Sequence, residues 1–287
     1  MRFLSFLVGR DVHFGAVVED RVVDLSERMP EYASLRRVLD AGALVRAQDV
    51  AVSASADFDL DEVKYAPVIP DARKIICVGV NYPGRRTLAA ADRQRAEYPS
   101  MFLRTRESLV GHEQPILKAP EVEALDYAGE IVLVIGKEGR RIAEAQALSH
   151  VAGITLMNEG SARDWMRRGE FNVTQGKNFE SSGSLGPWLM TRDECPALDA
   201  LTITTRVNGE VRQQADTAGV NFRFEYLVSY LSTFLRLMPG DLIATGTPAG
   251  TGDEQDPPRY LEPNDLVEIE VGGVGILRNR VEAETPT

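Results

Sequence analysis

Two glutamates, each next to an apolar segment, have a type and a position that suggest a chemical role. Glu130 begins the stretch EIVLVIG, in which residues 131–135 are all apolar, and Glu159 follows the stretch VAGITLMN. Short continuous apolar runs of this kind predict buried strands. If the two strands are neighbours, their terminal carboxylates converge, and carboxylate oxygens are the ligands that Mg²⁺ and Mn²⁺ prefer. The alternative is that both are ordinary charged residues at exposed strand ends.

A second group of polar residues could bind an anion. Lys177 lies in the Gly- and Ser-rich stretch TQGKNFESSGSLGPW, where its ammonium would act as a point charge. Arg163 lies in the stretch SARD, whose Ser161 and Asp164 suit the start of a helix as cap and as dipole partner. Thr247 lies in ATGTPAGTG, whose glycines would let backbone N–H groups approach an anion. Each of these residues could equally be a solvated surface group.

The sequence lacks the residue patterns that several other functional classes require. The histidines His13, His112 and His150 are not clustered in the sequence, and no Gly-x-Ser-x-Gly motif occurs, so a Ser-His-Asp hydrolase is not indicated. The glycine-rich stretch at residues 244–252 lacks the lysine of a phosphate-binding loop, which argues against nucleotide binding. A net charge of -11 argues against nucleic acid and against anionic membrane surfaces as partners.

Composition places the chain among ordinary globular proteins. With 287 residues, 44% of them hydrophobic, it is long enough for one large or two unequal domains. Its two cysteines, Cys77 and Cys195, have no partners at metal-site spacing and fit a reducing compartment. The N-terminus lacks the pattern of a signal peptide, and no apolar segment approaches the ~20 residues of a membrane-spanning helix. We therefore expect a cytoplasmic protein.

The order of patterns along the chain predicts a mixed-β fold with few helices, of the α+β class. Residues 1–65 suggest a small N-terminal αβ domain with a helix over residues 32–47, and the proline-containing residues 64–73 suggest a linker. Residues 83–99 have no apolar face and suggest a lid. Asn208-Gly209 and the glycines at 272–273 predict two hairpins. A helix is predicted from residue 222 until Pro239-Gly240, with Phe224, Leu227, Leu231, Phe234, Leu235 and Met238 on its apolar face.

Eight stretches in order resemble the fumarylacetoacetate hydrolase (FAH) family. They are KIICVGVNY, MFLRTRESLVGHEQPI, LDYAGEIVLVIGK, SARDW, QGKNFESSGSLGPWLMT, VNGEVRQQADT, YLSTFLRLMPGDLIATGTPAG and GVGILRNRV, and they extend over about residues 70–282. The resemblance implies an FAH-type β-roll in a catalytic domain over residues 70–287, a small N-terminal domain and a homodimer. It also implies an enzyme that cleaves, decarboxylates or isomerises small 2-oxo or β-diketo acids, in which a divalent ion stabilises an enolate.

Carried over by position, the resemblance assigns roles to individual residues. Glu130 and Glu159 fall on two metal ligands, which implies Mg²⁺ or Mn²⁺ as the cofactor. Lys177 and Arg163 fall on the active-site lysine and arginine, and Thr247 falls on a threonine that contacts substrate. We also expect the side chains of Arg85, Arg104 and Gln213 to bind the small acidic substrate.

The sequence also departs from the family pattern. The first glutamate of the metal pair is replaced by Ala128, which has no ligand atom. The lid His and Glu that activate water in family hydrolases fall on Arg85 and Leu88, neither of which can act as a base. A glutamine after the SARD stretch falls on Met166. Hydrolysis would therefore need another base, such as His112, whereas decarboxylation or tautomerisation would suffer less.

Three hypotheses about function follow from these matches and departures. The first is an enzyme that acts on a small 2-oxo or β-diketo acid through a metal-bound enolate. The second keeps the fold without the metal, as a lyase or isomerase whose pocket is lined by arginines (Arg85, Arg86, Arg104 and Arg106). The third is an inactive homologue that binds a ligand. Sensitivity to chelators distinguishes the first two hypotheses.

Overall fold

Strands dominate the computed structural model, which describes residues 1–84, 97–168 and 172–285. The strands are β1 (Arg2–Val8), β2 (Asp11–Val18), β3 (Arg21–Asp24), β4 (Phe58–Asp59), β5 (Lys64–Tyr65), β6 (Ile75–Gly79), β7 (Ser100–Arg104), β8 (Leu109–Val110), β9 (Ile116–Lys118), β10 (Leu125–Asp126), β11 (Gly129–Ile135), β12 (Val151–Asn158), β13 (Ser161–Ala162), β14 (Gly183–Thr191), β15 (Thr202–Val207), β16 (Glu210–Asp216), β17 (Leu242–Ala244), β18 (Leu266–Val271) and β19 (Gly275–Ala283). The α-helices are α1 (Leu35–Asp40), α2 (Leu44–Ser53), α3 (Arg163–Met166), α4 (Val173–Lys177) and α5 (Phe224–Phe234). The predicted fold class, mixed β with few helices, is confirmed.

A twelve-stranded mixed sheet forms the centre of the protein. Its strands follow the order β4-β3-β2-β1-β14-β12-β11-β17-β6-β7, with β5 paired to β1 and β8 paired to β14. Every residue of β11 is buried, because apolar side chains cover both faces of this central strand. The predicted strands EIVLVIG and VAGITLMN correspond to β11 and β12, which pair antiparallel.

The N-terminal region is joined to this sheet. Strand β1 pairs antiparallel with β14, so the hairpin β1–β2 extends the main sheet at one side. Apolar side chains of the region, such as Phe3 and Leu25, share a core cluster with Val132 and Leu185 of the central strands. The expected helix over residues 32–47 is two helices, since Gly42 adopts a positive φ of 63° between them. The N-terminal unit therefore packs as part of the main body of the protein.

A second sheet of five strands, in the order β16-β15-β18-β19-β9, packs beside the first. Both predicted hairpins are found in it. Asn208 and Gly209 have φ values of 53° and 79°, the left-handed conformation that a two-residue hairpin turn requires. Gly273 likewise has a positive φ, of 76°, in the turn between β18 and β19.

Helix α5 begins near the predicted start and ends earlier than predicted. Its buried face contains Phe224, Leu227 and Leu231, whereas Phe234 is 52% exposed. The helix ends at Phe234 because Leu237 forms two backbone hydrogen bonds with Gly139, which hold the following segment extended. No helix in the described ranges is long and apolar enough to cross a membrane. Most of the predicted lid, residues 85–96, lies outside the described residues.

Candidate functional site

Both predicted glutamates are buried, which excludes the alternative of exposed strand ends. Glu130 is the second residue of β11, and Glu159 follows the last residue of β12. Because the strands are antiparallel and Gly129 pairs with Asn158, the start of β11 lies beside the end of β12. Glu130 and Glu159 are only 3% and 2% exposed. Buried carboxylates need partners, and these partners define the site.

Glu159 is held between two cations. Its Oε1 accepts a hydrogen bond from Arg104 Nη1 at 2.7 Å, and its Oε2 accepts one from Lys177 Nζ. Lys177 Nζ also donates to Ser161 Oγ at 2.6 Å. We call Glu159, Arg104 and Lys177 the Glu159 cluster. Ser161, which was predicted to cap a helix, instead supports this lysine, and helix α3 starts after Ala162 without a side-chain cap.

Arg104 is a fixed part of the cluster. Its side chain has no exposed surface, although we expected it to bind substrate. Nη1 also donates to Gly160 O at 2.7 Å, Nε donates to Ser108 Oγ at 3.0 Å, and Nη2 donates to Ser182 Oγ at 3.1 Å. A guanidinium with all three nitrogens engaged offers nothing to a ligand. The structure therefore assigns Arg104 to holding Glu159.

The electrostatic environment of Lys177 differs from that of a surface lysine. Burial lowers the pKa of its ammonium, Glu159 acts in the opposite direction, and the guanidiniums of Arg163 and Arg104 lower it further. Lys177 lies at the end of the short helix α4, next to Asn178, whose side chain accepts a hydrogen bond from Thr105 N–H. Two of the three Nζ donors are used by Glu159 and Ser161. Within the described part of the chain, the third has no oxygen acceptor.

Arg163 is paired with a carboxylate that we did not single out in the sequence. Its Nε donates to Asp126 Oδ2 at 2.8 Å, and Asp126 also accepts hydrogen bonds from the backbone N–H groups of Tyr127, Gly252 and Asp253. Asp126 is fully buried and lies four residues before Glu130. Its position beside the predicted metal residues was the available sequence signal. The Asp126–Arg163 pair ties the start of α3 to the loop that follows Thr247.

Thr247 and Gln213, both expected to bind substrate, are hydrogen-bonded to each other. Gln213 Nε2 donates to Thr247 Oγ1 at 2.8 Å and to Pro248 O at 2.7 Å, and its Oε1 accepts from Gly129 N–H at 3.1 Å. Gln213 is 1% exposed, so its amide positions Thr247 instead of binding substrate as expected. Because Thr247 Oγ1 accepts from Gln213, its own hydroxyl proton is directed elsewhere and can serve a ligand.

Glu130 anchors the loop that carries Thr247. Its Oε2 accepts a hydrogen bond from Gly246 N–H at 2.8 Å. Gly246 has a φ of 100°, and a Cβ at this position would lie 2.7 Å from Asn81 Cβ, so only glycine allows this approach. Asn81 in turn donates to Thr245 O at 2.8 Å. These contacts fix the TGTP loop against the start of β11.

The donor atoms of the site do not fit the divalent ion that the resemblance implies. Position 128, which the resemblance assigns to the first metal glutamate, is Ala128, and its side chain supplies no ligand atom. Both oxygens of Glu159 are bound to cations. Among the described residues, the one group of three candidate ligands whose atoms converge is His13, Asp24 and Glu27 in the N-terminal region. No catalytic step is therefore assigned to an ion.

The remaining predicted residues lie away from the cluster or outside the described residues. Arg85, Arg86 and Leu88 belong to the undescribed segment. Arg106 is exposed and pairs with Glu107, and Met166 lies on α3 with its sulfur 4.0 Å from Arg163 Nη1.

The three histidines have partners elsewhere. His112 packs edge-on against Tyr65 and accepts from Arg278 N–H, His13 pairs with Asp24, and His150 bonds to Lys137 O. His112 is therefore not placed as the missing base.

Comparison with known proteins places this geometry in a family. Oxaloacetate tautomerase YisK of Bacillus subtilis (strain 168) is 35% identical over 227 residues, which are 78% of this chain and 75% of that protein. The structure of a probable 2-hydroxyhepta-2,4-diene-1,7-dioate isomerase from Mycobacterium abscessus aligns over 100% of both chains, with a TM-score of 0.81 and 30% identity.

A second solved structure has the same fold and contains a metal ion. It is maleylpyruvate hydrolase from Sphingobium sp. SYK-6 in complex with manganese(II) and pyruvate, and it aligns at a TM-score of 0.81 and 24% identity over 99% of this chain and 100% of that one. Residues 74–282 match the family model described as Fumarylacetoacetate (FAA) hydrolase C-terminal. Since this match spans most of the protein and the relatives align across the site, the chain belongs to the fumarylacetoacetate hydrolase family.

Proposed function

We propose that this chain interconverts the keto and enol forms of a small 2-oxo dicarboxylic acid of the oxaloacetate type. The observation that carries the proposal is the buried Lys177, whose Nζ donates to Glu159 and Ser161 and lies 5.0 Å from the centre of the Phe102 ring. We assign its third N–H donor to the substrate. Enzymes of this family act on small keto acids, and the relative YisK is named as an oxaloacetate tautomerase. The proposal adopts that reaction type for this site.

Tautomerisation makes a demand that Lys177 can meet. The C–H bond next to the keto group breaks, a C=C bond forms, and the electron pair of the carbonyl moves onto the keto oxygen, which then takes a proton. Negative charge develops on that oxygen as the C–H proton leaves. A fixed N–H donor in a buried site stabilises such charge strongly, because its dipole needs no reorganisation. Lys177 Nζ supplies this donor, and Glu159 keeps its ammonium oriented.

Thr247 supplies a second contact for the substrate. Its hydroxyl accepts from Gln213 and is 6% exposed, so its proton is available to a carboxylate or keto oxygen of the ligand. Glu130 and Gly246 hold the loop in place. Arg163, which pairs with Asp126, and Lys177, which pairs with Glu159, are the buried cations that an acidic substrate would contact beside Thr247. The arrangement suits a small anionic ligand.

Hydrolysis of a carbon–carbon bond is less well supported by this site. That reaction needs a base that activates water, and histidine is the usual one. All three histidines of the sequence are described, and each has partners outside the Glu159 cluster. By the resemblance, the lid positions that hold His and Glu in family hydrolases fall on Arg85 and Leu88 here. Tautomerisation consumes no water: a solvent water or a carboxylate of the substrate takes the proton from carbon, and the enolate oxygen takes up a proton in return, so no nucleophile has to be activated.

A second candidate reaction is the shift of a double bond in an unsaturated 2-oxo diacid. The Mycobacterium abscessus structure, which aligns over the whole chain at 30% identity, is named as a probable isomerase of such a compound. This reaction passes through an extended enolate, whose oxygen would make the same demand on Lys177. The substrate alone distinguishes the two candidates. A homodimer and a cytoplasmic location are proposals that rest on the resemblance and on composition.

The test is a tautomerase assay with a lysine variant and a matched control. The ultraviolet absorbance of enol-oxaloacetate is followed with wild type, Lys177→Met and Lys137→Met, the last being an exposed lysine. We expect kcat to fall by about 10²–10³ in Lys177→Met, the usual loss for an oxyanion donor, and to be unchanged in Lys137→Met. Wild-type rates equal to the uncatalysed reaction, or full activity in Lys177→Met, would refute the proposal. Parallel assays with an unsaturated 2-oxo diacid test the second candidate.

A further inference from the structure

We infer that this site works without a divalent ion, and that the protein cations of the Glu159 cluster take over the balancing of its buried carboxylates. The inference departs from the metal-bound enolate implied by the family resemblance. The expectation that catalysis needs no metal rests on the proposed function, whereas the expectation that the site binds no metal does not. Three observations carry it.

The first observation is the residue at position 128. Ala128 is buried, and its backbone is engaged on both sides: its N–H donates to Asn158 Oδ1 at 3.0 Å, and its carbonyl accepts from Glu159 N–H at 2.8 Å. It lies two residues before Glu130, just ahead of strand β11, which begins at Gly129. Both hydrogen bonds hold the backbone of Ala128 in place. A small movement of this backbone therefore cannot replace the metal ligand that position 128 lacks.

The second observation is the state of Glu159. An ion at Glu159 would have to share its carboxylate with Arg104 and Lys177, each of which already donates a hydrogen bond to one of its oxygens. Arg104 is fully buried and held by Ser108, Gly160 and Ser182, so it cannot move away from such an ion. Arginine does not lose its proton in proteins, so its positive charge would oppose the ion. An ion that binds Glu159 therefore competes with the ion pairs that Glu159 forms with Arg104 and Lys177.

The third observation is the charge balance. Glu130 and Glu159 contribute two negative charges, and Arg104 and Lys177 contribute two positive charges, so these four described groups sum to zero. Asp126 and Arg163 form a separate neutral pair. Before an acidic substrate binds, an added divalent ion would give these groups an excess of two positive charges in a region of low dielectric constant. Among the described residues, protein groups therefore already balance the buried carboxylates.

The decisive experiment measures metal binding directly. Chelator-treated wild type is titrated with Mn²⁺ by calorimetry beside Glu130→Gln, Glu159→Gln and the double variant Ala128→Glu/Glu159→Asp. The double variant supplies a second carboxylate two residues before Glu130. It also shortens the side chain of residue 159, which moves its carboxylate away from Arg104. Circular dichroism and melting curves confirm that each variant is folded.

We expect no stoichiometric Mn²⁺ binding to this site in the wild type at millimolar ion, and binding in the double variant. Heat that persists unchanged in both glutamine variants belongs elsewhere, for which the His13 group is the candidate, and agrees with the inference. Stoichiometric wild-type binding that both glutamine variants abolish would overturn it. This result does not depend on any activity.

The activity arm separates the two proposals. If the chain is a tautomerase, we expect its rate to change less than about twofold when EDTA is added or when Mn²⁺ is supplied. A rate abolished by EDTA and restored by Mn²⁺ would overturn the inference and leave the proposed function intact. Absence of activity under every condition, together with absence of Mn²⁺ binding, would refute the proposed function and leave the inference standing.

Discussion

Replacing Glu159 by glutamine tests whether this residue is chiefly an ion-pair partner. The substitution keeps the shape of the side chain and removes the negative charge that Arg104 and Lys177 share. Removing one partner of a buried ion pair typically costs 3–5 kcal/mol, because the other charge is left uncompensated. Two cations would be left here. Lys177 can respond by losing its proton, whereas Arg104 cannot.

We therefore expect Glu159→Gln to lower the free energy of unfolding by about 4 kcal/mol. For a chain of this size, each kcal/mol corresponds to roughly 2 °C in Tm, so the expected fall in Tm is about 8 °C. Urea unfolding and thermal melting followed by circular dichroism measure both quantities. The matched control is Glu262→Gln, since Glu262 is 66% exposed and pairs with Lys118 at 2.8 Å. An exposed pair is worth below about 1 kcal/mol.

If Glu159→Gln lowered the free energy of unfolding by less than about 1 kcal/mol, this assignment would be refuted. Removing a residue that balances two buried cations should destabilise the protein by more than that. The dependence on metal provides a second criterion. A ligand that binds only the folded state raises stability in proportion to the logarithm of its concentration. If Mn²⁺ raised the Tm of wild type but not of Glu159→Gln, Glu159 would be a metal ligand, and the ion-pair assignment would fall.

Three further predictions concern single residues. Burial lowers the pKa of His112 from 6.5 to about 4. Below pH 6.5 the unfolded chain therefore gains a proton at this ring, whereas the folded state keeps the ring neutral. The free energy of unfolding falls as the pH falls from about 6.5 to about 4. We expect about 2 kcal/mol of this loss between pH 7 and pH 4.5 in urea unfolding of wild type. The loss should be absent in His112→Asn, which keeps an acceptor for Arg278 N–H, and an equal loss in that variant would contradict the assignment. Thr247→Val should raise KM about tenfold with little change in melting, because one substrate hydrogen bond is lost. Gln213→Met should raise KM and also lower the Tm, since it leaves Gly129 N–H unpaired; an unchanged Tm would show that Gln213 does not support the loop.

Local patterns in the sequence predicted most of the elements that carry the site. Asn208-Gly209 predicted its hairpin, because few residues tolerate the left-handed turn conformation. The apolar runs after Glu130 and before Glu159 predicted the neighbouring buried strands β11 and β12. The end of α5 was not predictable in this way, since Leu237 leaves the helix to pair with Gly139, which lies about a hundred residues earlier.

The sequence by itself determined which groups are available to the site and which are missing. It showed the glutamates, the lysine and the threonine, and it showed that Ala128 cannot coordinate an ion. Only the tertiary structure decided which groups are paired. Arg104 was expected to meet substrate and instead neutralises Glu159, and Gln213 was expected to meet substrate and instead holds Thr247. The reason is that a charged group or an amide takes its role from the partners that folding brings within hydrogen-bonding distance. Glu159 lies 55 residues from Arg104 along the chain, and Thr247 lies 34 residues from Gln213.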